Sequence, residues 1–150
     1  MKTEKGVRLE EITAETWYEV CQLRVAADQQ EFLESNAISI AQSKFEPTLQ
    51  LRAIVHGDDL VGFLMFNTDS EELDAHWIYR LMIDERYQRQ GVARQAMALL
   101  LQEMKTLPGC CRLVAGYSPK NRAAGALYAS LGFEDRGDRF GKEMAVVLDL

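Results

Sequence analysis

The chain has 150 residues, 47% of them hydrophobic and 27% charged, with a formal net charge of -6. That is the length of one domain with a globular composition, which excludes disordered, collagenous and coiled-coil proteins. An excess of Asp+Glu (23) over Lys+Arg (17) disfavours nucleic acid, which is bound mainly by neutralising phosphates. No apolar run approaches the ~18 residues of a membrane span, and the opening MKTEKGVRLEEIT lacks the apolar stretch of a secretory signal. The expectation is a cytoplasmic protein with no membrane partner.

In chain order, Val7–Ile12 alternates as a first strand, and Thr13 stands as an N-cap before a helix carrying Trp17, Val20, Cys21, Leu23 and Arg24 toward Ala27. Gln29–Asn36 reads as helical or irregular, and Ser39 as the cap of a short helix through Phe45. Leu49–Val55 and Leu60–Phe66 are strands joined by the turn His56-Gly57-Asp58-Asp59, and Trp77–Ile83 is a third strong strand. A helix from about Gly91 to Lys105 shows an apolar stripe of Val92, Ala96, Leu99, Leu100 and Met104. Then follow a strand (Arg112–Tyr117), a helix (Arg122–Leu131) and a terminal hairpin (Phe133–Arg136, Glu143–Leu148). The order β-α-α-β-β-β-α-β-α-β-β predicts an α/β fold with a mixed sheet. In it the strands at Trp77 and Arg112, joined by a helical crossover, run parallel. Of the three cysteines, Cys21, Cys110 and Cys111, none belongs to a CxxC or Cys/His cluster. No metal is expected, and the adjacent pair reads as small buried residues at a strand start.

The chemistry concentrates in Leu81-Met82-Ile83-Asp84-Glu85-Arg86-Tyr87-Gln88-Arg89-Gln90-Gly91-Val92-Ala93, which leaves a strand, bends through a polar loop and enters a helix. The first amides of a helix lack internal partners and carry the positive end of its dipole, so a loop bending around them suits phosphate. Neither GxxxxGK(S/T) nor GxGxxG occurs. Gln88-x-x-Gly91-x-Ala93 instead resembles the acetyl-CoA signature of the Gcn5-related N-acetyltransferase superfamily, (Gln or Arg)-x-x-Gly-x-(Gly or Ala). Downstream, Asn121, Ala124, Tyr128, Gly132 and Phe133 match that family's second motif, N-x-x-A-x-x-x-Y-x-x-x-G-F, at the same spacing. The order of strands and helices also agrees, so the resemblance spans essentially the whole chain.

The resemblance implies acetyl-CoA as co-substrate. Its pyrophosphate would rest on the amides of Gln88, Arg89, Gln90, Gly91, Val92, Ala93 and Arg94, and its pantetheine arm would pair with the main chain at Leu81, Met82 and Ile83. Asn121 and Ala124, in the second motif, would border the arm, and Tyr128 would sit beside the sulfur. The family also splays its two central parallel strands at this point. An alkyl ammonium has a pKa of ~10.4, so about one molecule in 2,500 is a free nucleophile at pH 7, and a base or ordered water is expected. A thiolate leaving with pKa near ~8.5 needs only a mild acid, for which Tyr128 suits. The expected course is direct attack in a ternary complex, with no acyl carrier at Cys110 or Cys111.

Departures from the family's pattern fall on the acceptor side. Trp77 stands where histone-modifying members carry their glutamate base, and Glu85 where many members have proline. Glu31, Glu34, His76 and water held by Tyr79 remain as candidate bases. Gln29–Gln42 and Trp77–Gln88 resemble the bacterial spermine/spermidine acetyltransferase branch, which points to a polyamine held by Glu31, Glu34, Trp77 and Tyr79. Asp28, Glu31 and Glu34, three apart, would share one side of a helix, and Asp69, Glu71, Glu72 and Asp74 form a second acidic run. Alternative acceptors are a protein N-terminus, a lysine or an aminoglycoside. A catalytically idle acyl-CoA sensor on the same scaffold is a further alternative, and a homodimer through the terminal strands is common for the fold.

Overall fold

A computed structural model describes residues 6–150 of the chain. Its strands are β1 (Val7–Glu10), β2 (Leu49–His56), β3 (Asp59–Asn67), β4 (His76–Ile83), β5 (Arg112–Tyr117), β6 (Glu134–Phe140) and β7 (Glu143–Asp149). Its α-helices are α1 (Trp17–Gln22), α2 (Asn36–Phe45), α3 (Val92–Lys105) and α4 (Arg122–Ser130), with 3₁₀ turns at Ala27–Phe32, Glu72–Asp74 and Glu85–Tyr87. The strands form one mixed sheet in the order β1-β2-β3-β4-β5-β7-β6. Only β4 and β5 run parallel, as the crossover through α3 requires. Fold class and element order are those expected.

Apolar residues from α3 (Val92, Ala96, Met97, Leu100, Met104) and Tyr128 of α4 fill one face of the sheet. The other face is covered by Val20 of α1, Leu23 and Val25, with Ile40 of α2 packed alongside. Burying a Leu or Met side chain stabilises by about 1.5–3 kcal/mol, so the fully buried Met97, Leu100 and Met104 tie α3 firmly beneath the site it opens onto. Among the described residues no helix is long and apolar enough to cross a membrane.

Four local expectations differ from the structure. The helix predicted to run to Ala27 stops at Gln22, because Leu23 turns extended (φ -64°, ψ 140°) and Leu23 and Val25 are buried beside β4. The main chain of the intervening Arg24 is held on both sides: its amide donates to Asp84 Oδ2 at 3.0 Å, and its carbonyl accepts from Glu85 N at 2.7 Å. That helix is entered at Thr16 rather than Thr13. The second helix is capped by Ser35, whose Oγ accepts from Ile38 N, and not by Ser39, which lies buried within it. Asn36, the first residue of the helix, anchors that start by donating from Nδ2 to Val20 O of α1 at 2.8 Å. Cys110 is half-buried and Cys111 exposed, so the pair does not form the small buried plug expected.

Candidate functional site

The sheet comes apart between its two parallel strands. β4 and β5 are in register only at His76↔Leu113, Trp77↔Val114 and Ile78↔Ala115. On its other side β4 carries a bulge, since Met65 faces Arg80 while Phe66 faces Ile78, leaving Tyr79 as the extra residue. A bulge bends its strand and raises the local twist, which turns the C-terminal half of β4 away from β5. The result is a fork whose β4 edge, from Tyr79 to Ile83, has no strand partner on the β5 side.

The loop after β4 is fixed by Asp84. Its buried carboxylate accepts from the amides of Arg24 and Arg86 and from Arg86 Nε, at 3.0, 3.0 and 2.8 Å. Burial alone raises this carboxyl, but the Arg86 side chain and the two amides outweigh it and hold the group below the usual carboxylate range. Gln88 donates from Nε2 to Ile83 O at 2.9 Å and to Gln29 Oε1 at 3.0 Å, bracing the loop against the 27–32 turn. Arg89 (φ 63°) and Gly91 (φ 76°) both adopt left-handed backbone, and Gly91 stands as the N-cap of α3 without a side-chain cap. Among the described residues the amides of Gly91, Val92, Ala93 and Arg94 find no acceptor in the chain. Alternating handedness at a helix entrance turns successive N–H groups into one concavity, a nest for an anion.

This concavity closes one end of a cleft of about 500 Å³. Leu81, Met82 and Ile83 form one wall; Gln88, Arg89, Gly91, Val92, Ala93 and Arg94 the end; Asn121, Ala124 and Tyr128 the opposite wall. The sequence-predicted positions on that side are thus brought together, except that the Gln90 side chain lies outside the cleft and is exposed. Asn121 caps α4, its Oδ1 accepting from Ala124 N at 3.2 Å. Tyr128 is buried, with its ring 5.9 Å from Tyr117 and 5.3 Å from Phe133. Burial first, and the nearby Tyr117 second, push its phenol well above the ordinary range, so it stays protonated and a donor throughout neutral pH.

A second cleft of about 420 Å³ meets the first at Leu33, Leu81, Asn121, Ala124 and Tyr128. Glu31, Glu34, Tyr79, Arg80, Tyr117 and Glu143 line it. Glu31 enters from the 27–32 turn and Glu34 from just beyond it, so no helix face presents them in a row, and Asp28 is not in the wall. The Tyr79 hydroxyl donates to the Glu71 carboxylate at 2.7 Å. Burial, that bond and the Glu71 and Glu46 charges raise its pKa, so Tyr79 too remains a phenol.

Trp77, expected beside the acceptor, stands outside both cleft walls. Its Nε1 donates to Glu72 O at 2.9 Å and its ring meets Phe140 edge-on at 5.0 Å. His76 is buried and its Nε2 lies 3.0 Å from Thr68 O, away from the clefts. The acidic run at Glu71–Asp74 borders a separate depression. Sequence reasoning missed Tyr117, Arg80 and Glu143: a strand-end tyrosine, a bulge arginine and a hairpin glutamate carry no spacing signal that marks them.

Residues 9–133 match the family model described as acetyltransferase (GNAT) family. The chain is 26% identical over 151 aligned residues to the spermine/spermidine N(1)-acetyltransferase of Bacillus subtilis (strain 168), covering 97% of this chain and 99% of that one. Among solved structures it is similar to Mycobacterium smegmatis RimJ in complex with CoA-disulfide (TM-score 0.75, 19% identity, 97% of this chain and 83% of that one). It is also similar to the Vibrio cholerae spermidine N-acetyltransferase in complex with CoA and spermine (TM-score 0.74, 14% identity, 95% of each chain). At those identities the two structures speak to the fold.

Proposed function

The chain belongs to the acetyltransferase (GNAT) family, and from that premise we propose that it transfers acetyl from acetyl-CoA to a primary amine of a polyamine, spermidine or spermine. The observation that carries this reading is the junction of two clefts at one buried phenol: an amide-lined cleft on one side of Tyr128 and a carboxylate-lined one on the other.

Coenzyme A fits the residues present. The unpaired amides of Gly91 to Arg94, with the loop from Gln88, would hold its pyrophosphate at the positive end of α3. The unpartnered β4 edge at Leu81–Ile83 would pair with the amide groups of the pantetheine arm, with Asn121 and Ala124 across from it. When bound, acetyl-CoA supplies an activated acyl carbon and a good leaving thiol. What the protein adds is position and charge. Main-chain N–H groups on the unpaired edge of β4 would face the acyl carbonyl oxygen and stabilise charge developing there. Tyr128, held protonated by burial, would donate to the departing sulfur.

On the acceptor side, Glu31, Glu34 and Glu143 outnumber Arg80, which favours a substrate with several cationic nitrogens. The 26% identity to a spermine/spermidine acetyltransferase supports the same assignment. One observation favours a second reading. Arg80 Nε is buried without a hydrogen-bond partner in the acceptor cleft, which suits an acceptor bearing its own carboxylate, such as an acidic peptide N-terminus. Thiol release from acetyl-CoA over spermidine, spermine, putrescine, aminoglycosides and short peptides separates the two. The polyamine reading expects turnover on spermidine or spermine and falls if only peptides or aminoglycosides react.

A further inference from the structure

The fork between β4 and β5 has two faces, and Tyr128 reaches it from the one covered by α3 and α4. Side chains alternate along β7, so Glu143 lies on the opposite face with Ala145 and Val147, the face that also carries Trp77 and Val114. Glu143 begins β7 directly after the turn at Gly141 and Lys142, and its side chain folds back over β5. A Cβ on Gly116 would lie 3.2 Å from Glu143 Oε2, with Met144 O 3.8 Å away. Gly116 follows Ala115, the last β5 residue paired with β4. A glycine therefore keeps open the space in which this carboxylate stands, at the vertex of the fork and in the wall of the acceptor cleft. Among the described residues its side chain has no hydrogen bond or ion pair.

We propose that Glu143 is the carboxylate that receives the acceptor nitrogen on the open face of the fork and takes its proton. This role rests on the amine-acetylation reading above. An alkyl ammonium, with a pKa of ~10.4, is far too weak an acid to give its proton to a carboxylate to any useful extent. The first proton therefore leaves to solvent, and the Glu143 carboxylate accepts a hydrogen bond from the free amine and aims its lone pair through the fork. As the nitrogen lone pair becomes the C–N bond, the acyl π pair moves onto oxygen and the nitrogen turns cationic and strongly acidic. Its proton then passes to Glu143. The C=O re-forms as the C–S bond breaks, sulfur leaves with the electron pair, and the Tyr128 phenol protonates it. Water takes the Glu143 proton and restores that of Tyr128, so amide, free thiol and one solvent proton balance ammonium and thioester. Acid and base thus approach one carbon from opposite faces of the sheet.

The test is steady-state thiol release over the amine panel for the wild type, Glu143→Gln, Gly116→Ala and Asp138→Asn, with coenzyme A calorimetry to confirm a folded protein. Glu143→Gln is expected to lower kcat by about 100-fold, the lower end of general-base effects, with the KM for acetyl-CoA unchanged and partial recovery as pH rises. Gly116→Ala, which displaces the carboxylate without removing it, is expected to lower kcat about tenfold. Asp138→Asn, which removes a charge from the same hairpin, is expected to stay within about twofold, as surface substitutions do. A Glu143→Gln enzyme within about threefold of wild type, on any amine the wild type acetylates, overturns the proposal. Wild-type turnover on peptides but not polyamines sinks the polyamine reading alone, with Glu143 then judged on the peptide; no turnover on any amine sinks both.

Discussion

The two clefts that meet at Tyr128 are built in different ways. The cleft that ends in the amide concavity is lined chiefly by residues of two short continuous stretches, 81–94 and 121–130. The carboxylate-bearing cleft draws its lining from many places, among them the 27–32 turn and its exit, the bulge of β4, the end of β5 and the start of β7. A ligand recognised through backbone amides needs a particular chain path, and that path demands particular residues: a left-handed Gly91, a small Ala93, an Asn121 cap. A ligand recognised through scattered carboxylates demands only charge at the right place, which many positions in the chain can provide. One cleft is therefore written as a motif and the other is not.

Substitutions on either side break or sharpen that contrast. The largest effect is expected at the junction. Tyr128→Phe removes the donor to sulfur and is expected to cut kcat by about 100-fold while leaving coenzyme A affinity by calorimetry nearly unchanged. Next comes the support beneath the loop: Asp84→Asn loses a charge-assisted set of three hydrogen bonds and is expected to cost about 2 kcal/mol in urea unfolding. The Asp84 pKa is depressed in the folded state, so its contribution is present above the unfolded pKa and fades as pH falls through the lower folded value. Wild-type and Asp84→Asn stabilities should accordingly converge in acid, and parallel curves down to the lowest pH would refute the assignment.

Smaller effects distinguish main-chain from side-chain recognition. Gly91→Ala forces a Cβ into left-handed backbone, where the strain of about 1–2 kcal/mol is expected to weaken coenzyme A binding about tenfold without altering the acceptor KM. Glu34→Gln is expected to raise the KM for spermine only a few-fold, an effect that shrinks with added salt because the pairing is solvated. If Glu34→Gln instead weakened coenzyme A, or Gly91→Ala altered acceptor preference, the two clefts would not be separate in function.

Several outcomes around the second cleft and its support were decided outside local sequence. Trp77 follows the strand alternation faithfully, yet it pairs with Phe140 from a hairpin some sixty residues away, and that contact places it in a small core rather than in the cleft. Tyr79 is in the cleft wall because the bulge inserts one extra residue into β4, an irregularity visible only from the register with β3. The helix expected to continue to Ala27 broke because Asp84, far along the chain, holds the amide of Arg24. In each case a partner distant in sequence outweighed a local preference of a few tenths of a kcal/mol per residue.

By itself the sequence determined the order of strands and helices, the parallel central pair and the glycine-bearing bend that opens α3, because all of these follow from short-range periodicity, handed crossovers and glycine backbone freedom. Only the tertiary structure decided that β4 and β5 part after Ile78, that Tyr128 and Glu143 face the opening from opposite sides, and that Trp77 does not. Those outcomes depend on register and on the packing of residues that are remote along the chain, where the energies are comparable to local preferences and no spacing records them.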